Sequence, residues 1–186
     1  EVDRKEPEVS TVMDFSDSEG ILKAAEKCNG SGDCRKSHHM SGAMCPSYQA
    51  TKNEKDTTRA RANALREFLT HSEKPNRFDH QELKQVFDLC LSCKACASEC
   101  PSNVDVATLK AEFLYHYQEA NGYSLRSKLF AHNTQLNALG SRVSAVTNWM
   151  YESKTIGNFI KKATGVAPER SLPQVGRFNF NNYLKK

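Results

Sequence analysis

Cys90, Cys93, Cys96 and Cys100, with Pro101 directly behind them, form the run CLSCKACASECP. Three thiolates at a repeat of three can close around three corners of one iron–sulfur cube, while the fourth, turned away by the proline, reaches a different cluster. One such run therefore implies a second cluster, and Cys28, Cys34 and Cys45 are what remains of seven cysteines. The upstream stretch AEKCNGSGDCRKSHHMSGAMCPSY echoes the downstream motif with one change. Cys28, Ser31 and Cys34 occupy the repeat-of-three positions, and Cys45-Pro46 follows after ten intervening residues. Crossed ligation places Cys90, Cys93, Cys96 and Cys45 on one cluster, a 4Fe-4S cubane with four thiolates. Cys28, Cys34 and Cys100 then hold the second, either 3Fe-4S or 4Fe-4S with one non-cysteine ligand. Ser31, Asp33, His38, His39 or water can fill that corner.

Other uses of seven cysteines fit less well. A disulfide framework favours an even count in a secreted chain, and no signal peptide is visible here. Structural zinc takes CxxC hooks separated by a longer loop, which four cysteines within eleven residues do not provide. A zinc-stabilised helical interaction domain is the alternative reading. Gly30 and Gly32 form no dinucleotide fingerprint, since no GxGxxG stands between a strand and a helix; they suit a backbone whose N–H groups approach cluster sulfur. No nucleophile–base constellation or substrate-pocket motif is present, so the isolated chain is not expected to be catalytic.

The elements that must position these cysteines read as helix throughout, and the expected fold class is all-α. Ser16 or Ser18 can cap a helix running to about Lys27, with a capping box from Ser16 to Glu19. Thr57 or Thr58 opens a second helix, with Leu65, Phe68 and Leu69 on its apolar face and Arg59, Arg61 and Arg66 mostly off it. Asp79 and Glu82 form another capping-box pattern before Leu83, Val86 and Phe87. Asp105 caps a helix carrying Val106, Leu109, Phe113 and Tyr117 and ending near Gly122. Three or four shorter helices follow from Ser124 to Lys162, with Leu125, Leu139, Val143, Val146, Trp149 and Phe159 among their expected core.

The CNGSGDC and CP elements followed by CLSCKACASECP resemble the alpha-helical ferredoxin domain, the two-cluster unit of succinate dehydrogenase and fumarate reductase iron–sulfur subunits. In that family a Cx5C spacing with a non-cysteine residue in the middle marks a 3Fe-4S site, which Cys28, Ser31 and Cys34 match. The order of the two motifs is reversed here, and the gap before Cys45 is longer. An iron–sulfur subunit of a heterodisulfide-reductase-like or succinate-dehydrogenase-like complex is a further alternative.

A closer resemblance runs from about Glu19 to Leu184. EKCNGSGDCRKSHHMSGAMCPSYQATKNEKDTTRARANALREFL, the second motif with NVDVATLKAEFLYHY, and GVAPERSLP together are similar to the iron–sulfur segment of large FAD-linked oxidases, a family that includes D-lactate and D-2-hydroxyglutarate dehydrogenases and relatives of the glycolate oxidase iron–sulfur subunit. The resemblance implies a piece of a longer polypeptide, with an FAD-binding domain before it and cysteine-rich CCG domains after it as partners. It also implies one-electron relay from a flavin that oxidises a D-2-hydroxy acid, making the chain part of an oxidoreductase.

The expected organisation is a flexible acidic lead-in at 1–19, a helical ferredoxin domain at 20–122, a basic helical extension at 123–164 and a tail at 165–186. Residues 1–19 carry seven acids against Arg4 and Lys5, net −5, while residues 123–186 carry ten Lys/Arg against Glu152 and Glu169, net +8. Such a basic run is a solvated helical surface or a docking face for an acidic partner or anionic membrane. No apolar stretch approaches the roughly 18 residues of a membrane span. The expected location is the cytoplasm, with peripheral contact at the inner face of a membrane left open, and no nucleic-acid partner.

The missing middle thiol has a direct consequence. Ser31→Cys should convert a 3Fe-4S upstream site to 4Fe-4S and lower its potential by adding a thiolate. The oxidised variant should lose its 3Fe-type EPR signal; persistence in iron-replete protein would show that something other than residue 31 sets the cluster type.

Overall fold

The computed structural model describes residues 7–37, 39–176 and Leu184. Every regular element among them is helical, as expected. The chain divides into two compact units, residues 1–122 and 123–186.

The first unit is built from α1 (Ile21–Glu26), α2 (Pro46–Thr51), α3 (Thr58–His71), α4 (Gln81–Asp88), α5 (Ala95–Glu99) and α6 (Val106–Asn121). The two long helices, α3 and α6, pack on each other and both receive α1, while α4 lies against α3 and α5 against α6. Ile21, Leu65, Leu69, Leu83, Phe87, Leu109 and Phe113 fill the space between them. The Phe87 and Phe113 rings stack with centroids 5.2 Å apart. Buried cysteines belong to this same core: Cys34, Cys45 and Cys96 pack in one apolar cluster with these side chains.

Two of the four expected helix starts form as read. Thr57 Oγ1 accepts from the Ala60 N–H at 3.0 Å to cap α3, and Asp105 Oδ1 accepts from Thr108 N–H at 3.1 Å to cap α6. The other two are corrected. Ser16–Ser18 is an isolated 3-10 turn, and α1 starts beyond Gly20, whose φ of 112° breaks the chain direction. Glu19 bonds Lys23 at 2.6 Å instead of closing a capping box. At α4 the N-cap is His80, whose ring bonds Ser72 Oγ at 2.8 Å and caps no amide, while Asp79 is engaged by Lys74 and by Asn121 Nδ2 at 2.7 Å.

The segment ahead of α1 is tied down by α6. Glu112, fully buried, accepts the backbone N–H groups of Val12 and Met13 at 2.8 and 2.9 Å and the ring N–H of His116 at 2.8 Å.

The second unit contains α7 (Leu125–Ala131), α8 (Asn133–Arg142), α9 (Ser144–Glu152) and α10 (Lys154–Thr164), each touching its neighbour in sequence, with α10 returning to α7. Gly157 permits the tight α9–α10 corner, since a Cβ there would stand 2.5 Å from the Tyr151 carbonyl oxygen. The core expected here is not enclosed: Leu139, Trp149 and Phe159 are 61%, 63% and 73% exposed, and Leu125, Val143 and Val146 are exposed as well. Four short helices have too little mutual surface to cover residues on all their faces. Arg177, Lys185 and Lys186 of the basic run lie outside the described residues.

The two units should differ in tolerance to truncation. Phe113→Ala should cost about 3–5 kcal/mol of stability and Leu139→Ala no more than roughly 0.5 kcal/mol. Chemical denaturation of the full chain measures both, and equal costs would contradict the contrast between the enclosed first unit and the exposed second one.

Candidate metal centres

Cys45 is the N-cap of α2, held extended by the Pro46 that follows (φ −107°, ψ 116°). Cys90 follows the end of α4, Cys96 lies within α5 and Cys100 ends it. Between Cys90 and α5 the chain folds back through two left-handed residues, Ser92 (φ 51°) and Lys94 (φ 61°), which leave Cys93 exposed between them. Cys45, Cys90, Cys93 and Cys96 line one recess of about 330 Å³, measured with its open mouth, together with Met44 and Arg61. Cys28, Cys34 and Cys100 do not line it.

Cys28 lies just past the end of α1 and Cys34 on a 3-10 turn, Asp33–Arg35. Cys34 is buried; its thiol is pushed up chiefly by burial and further by the nearness of Cys28 and Cys45. Gly30 and Gly32 both take positive φ (78° and 81°), carrying the loop around an exposed Ser31. Asp33 faces Lys36 at 3.9 Å, His39 is exposed, and His38 lies outside the described residues. Among the described residues no three His, Cys, Asp or Glu side chains converge on the position of a single ion. Thiols ringing a recess instead suit the corners of a polynuclear cluster.

The two long helices meet their buried thiols in the same register. The cap residue takes the third amide of each helix: Thr57 binds Ala60 N–H and Asp105 binds Thr108 N–H. The second amide is left for sulfur. Arg59 N–H of α3 opposes the burial that pushes Cys34 up, and Ala107 N–H of α6, with Val106 N–H, does the same for Cys96. Amides at a helix amino end favour thiolate over thiol. The pseudo-repeat in the sequence thus extends into the donors.

Three residues of the site were not singled out from sequence. Arg61, read as lying off the apolar face of α3, is 1% exposed; its Nη1 donates to Cys45 Sγ at 3.4 Å, Ser47 Oγ at 3.0 Å and Asp56 O at 2.7 Å. The signal was available, because Arg61 stands four residues before Leu65 and eight before Leu69 and so shares their face. Lys110 Nζ on α6 donates to the Phe87 and Cys90 carbonyls at 2.9 and 2.7 Å, tying the end of α4 where the cysteine loop departs. Glu99, one residue before Cys100, accepts Ala43 and Met44 N–H at 2.7 and 3.0 Å, which holds its carboxyl below the usual range. It thereby fixes the loop leading into Cys45. Gly42 makes room for it, since a Cβ there would sit 2.5 Å from Glu99 Oε2.

Residues 27–105 match the family described as the 4Fe-4S dicluster domain, which makes this an iron–sulfur segment. The chain is also homologous to part of D-2-hydroxyglutarate dehydrogenases. That of Haemophilus influenzae is 30% identical over 128 residues, 52% of this chain and 12% of the relative. The Pseudomonas putida protein is 26% identical over 194 residues, 88% of this chain and 19% of the relative. The Escherichia coli protein is 25% identical over 189 residues, 82% of this chain and 18% of the relative. The chain therefore spans less than a fifth of these relatives' length. No solved structure matches it at a significant level. Among the described residues no helix is long and apolar enough to cross a membrane.

Because Glu99 grips the loop before Cys45, Glu99→Ala should weaken iron retention at the recess about 10-fold, the lower end of what supporting residues contribute. Release to a chelator from anaerobically reconstituted protein measures this, and an unchanged rate would show that the loop holds without the carboxylate.

Proposed function

We propose that this chain is the electron-relay module of an FAD-linked oxidoreductase acting on a D-2-hydroxy acid. The observation that carries this reading is the gathering of Cys45, from the upstream motif, into one recess with Cys90, Cys93 and Cys96. Those four residues are the ligands of a 4Fe-4S cluster, and Cys28, Cys34 and Cys100 those of a second, 3Fe-4S or 4Fe-4S. When bound, such clusters supply reversible one-electron transfer. The protein's part is to bury the sulfurs, aim the second amides of α3 and α6 at Cys34 and Cys96, and hold the Cys45 loop through Glu99. Cys93, exposed at the mouth of the recess, is the ligand nearest to solvent and marks where electrons enter or leave.

The electrons come from an FAD-binding domain of the same longer polypeptide or complex and pass to a downstream acceptor, with CCG domains as further partners. The names of the relatives favour D-2-hydroxyglutarate as the acid oxidised on the flavin domain. The work of this chain is carried out in the cytoplasm or on the inner membrane face.

Metal and sulfide analysis after anaerobic reconstitution, with EPR before and after reduction, tests the ligand sets. About seven or eight irons per chain are expected. Cys45→Ser should damage the cluster of Cys90, Cys93 and Cys96, and Cys100→Ser the cluster of Cys28 and Cys34. Loss in each case of the sequence neighbours' signal would overturn the crossed arrangement, and zinc without iron would overturn the relay.

A further inference from the structure

Arg61 is a buried cation in an apolar core, and its surroundings are complete only in part. Nη1 reaches Cys45 Sγ, Ser47 Oγ and Asp56 O, and Nε donates to the Val86 carbonyl at 3.1 Å. Nη2 is buried without a hydrogen-bond partner among the described residues; the Asp56 carboxylate is 3.7 Å away, with its other oxygen taking the Thr51 hydroxyl at 2.7 Å. A buried N–H without an acceptor calls for a physical reason. Arg61 lines the recess of Cys45, Cys90, Cys93 and Cys96, so the acceptor that fits is a cluster sulfur.

The hydrogen bonds around Cys45 point the same way. Its Sγ lies 3.3 Å from the Asp56 carbonyl oxygen, which also takes Arg61 Nη1 at 2.7 Å and the Ser47 hydroxyl at 2.8 Å, and Nη1 donates to Sγ at 3.4 Å.

We infer that Arg61 is a positioning residue that raises the reduction potential of the cluster held by Cys45, donating N–H groups to its sulfurs and placing positive charge beside them. The inference rests on Cys45 being a ligand of that cluster. Added negative charge is favoured by a nearby buried cation and by N–H donors aimed at sulfur. In the step itself one electron passes from a reductant, dithionite in the test, to the cluster; no bond of Arg61 forms or breaks and it keeps its protons.

The full chain, reconstituted anaerobically, is compared as wild type, Arg61→Lys, Arg61→Gln, and Arg61→Gln combined with Asp56→Asn, so that one variant strands no buried charge. Iron and sulfide content, EPR-monitored midpoint potentials and exchangeable-proton hyperfine couplings are read on each. The double variant should load fully, show a lower midpoint for the cluster of Cys90, Cys93 and Cys96, and lose one strongly coupled exchangeable proton, with the other cluster unmoved; Arg61→Lys should shift less than Arg61→Gln. An unchanged midpoint at full iron content, or an equal fall in both clusters, would overturn the inference. A parallel Cys45→Ala separates the two failures: an undisturbed cluster in that variant refutes the ligand assignment itself, whereas a lost cluster with unmoved Arg61 potentials refutes only the role of Arg61.

Discussion

A sulfur that must carry negative charge inside a helical core needs donors that are fixed before it arrives, and this constraint shapes the first unit. Neither Cys34 nor Cys96 relies on solvent; both are buried, and both meet the amino end of a long helix. The third amide of each helix is taken by the cap, and first-turn amides, Arg59 in α3 and Ala107 with Val106 in α6, oppose the burial that pushes the two thiols up. Thr57 and Asp105 are therefore more than helix starts. They set the register in which α3 and α6 present themselves to the cysteines, while the packing of α3 on α6 sets the separation of the two ends.

Most of this arrangement was legible in the sequence, for particular reasons. Thr57 and Asp105 each precede a long apolar-periodic stretch, and their further bonds, from the Thr57 hydroxyl to the Glu54 carbonyl and from the Thr108 hydroxyl to Asp105 Oδ2, leave the caps in place. Asp79 and Ser16 carry the same local signal but lose it to longer-range or sharper local effects: Asn121, forty-two residues on, takes Asp79, and Gly20 restarts the chain before Ser16 can serve. The cysteine runs announce themselves by spacing. Their supports do not. Arg61 looks like a surface residue because its charge outweighs its helical phase in a simple reading, and Glu99 looks like one more polar residue in CASEC until the fold brings Ala43 and Met44 to it.

The second unit shows where periodicity stops being sufficient. Its helices form at the expected places with apolar residues at helical spacing, yet among the described residues only Ser144 and Gly157 are buried. Spacing identifies a face that prefers to be covered; it does not say what covers it. Exposed Leu139, Trp149 and Phe159 beside a basic run are thus a different kind of surface from the first unit, whose apolar faces are turned onto one another. This chain spans less than a fifth of the relatives that it matches, so in them such faces have further polypeptide to meet.

The bonds from Glu99 to Ala43 and Met44 also impose an order on the making of the protein. The loop that carries Cys45 is synthesised before the carboxylate that fixes it, which emerges from the ribosome fifty-five residues behind Met44. Until then the loop leading into Cys45 lacks the two acceptors that hold Ala43 and Met44.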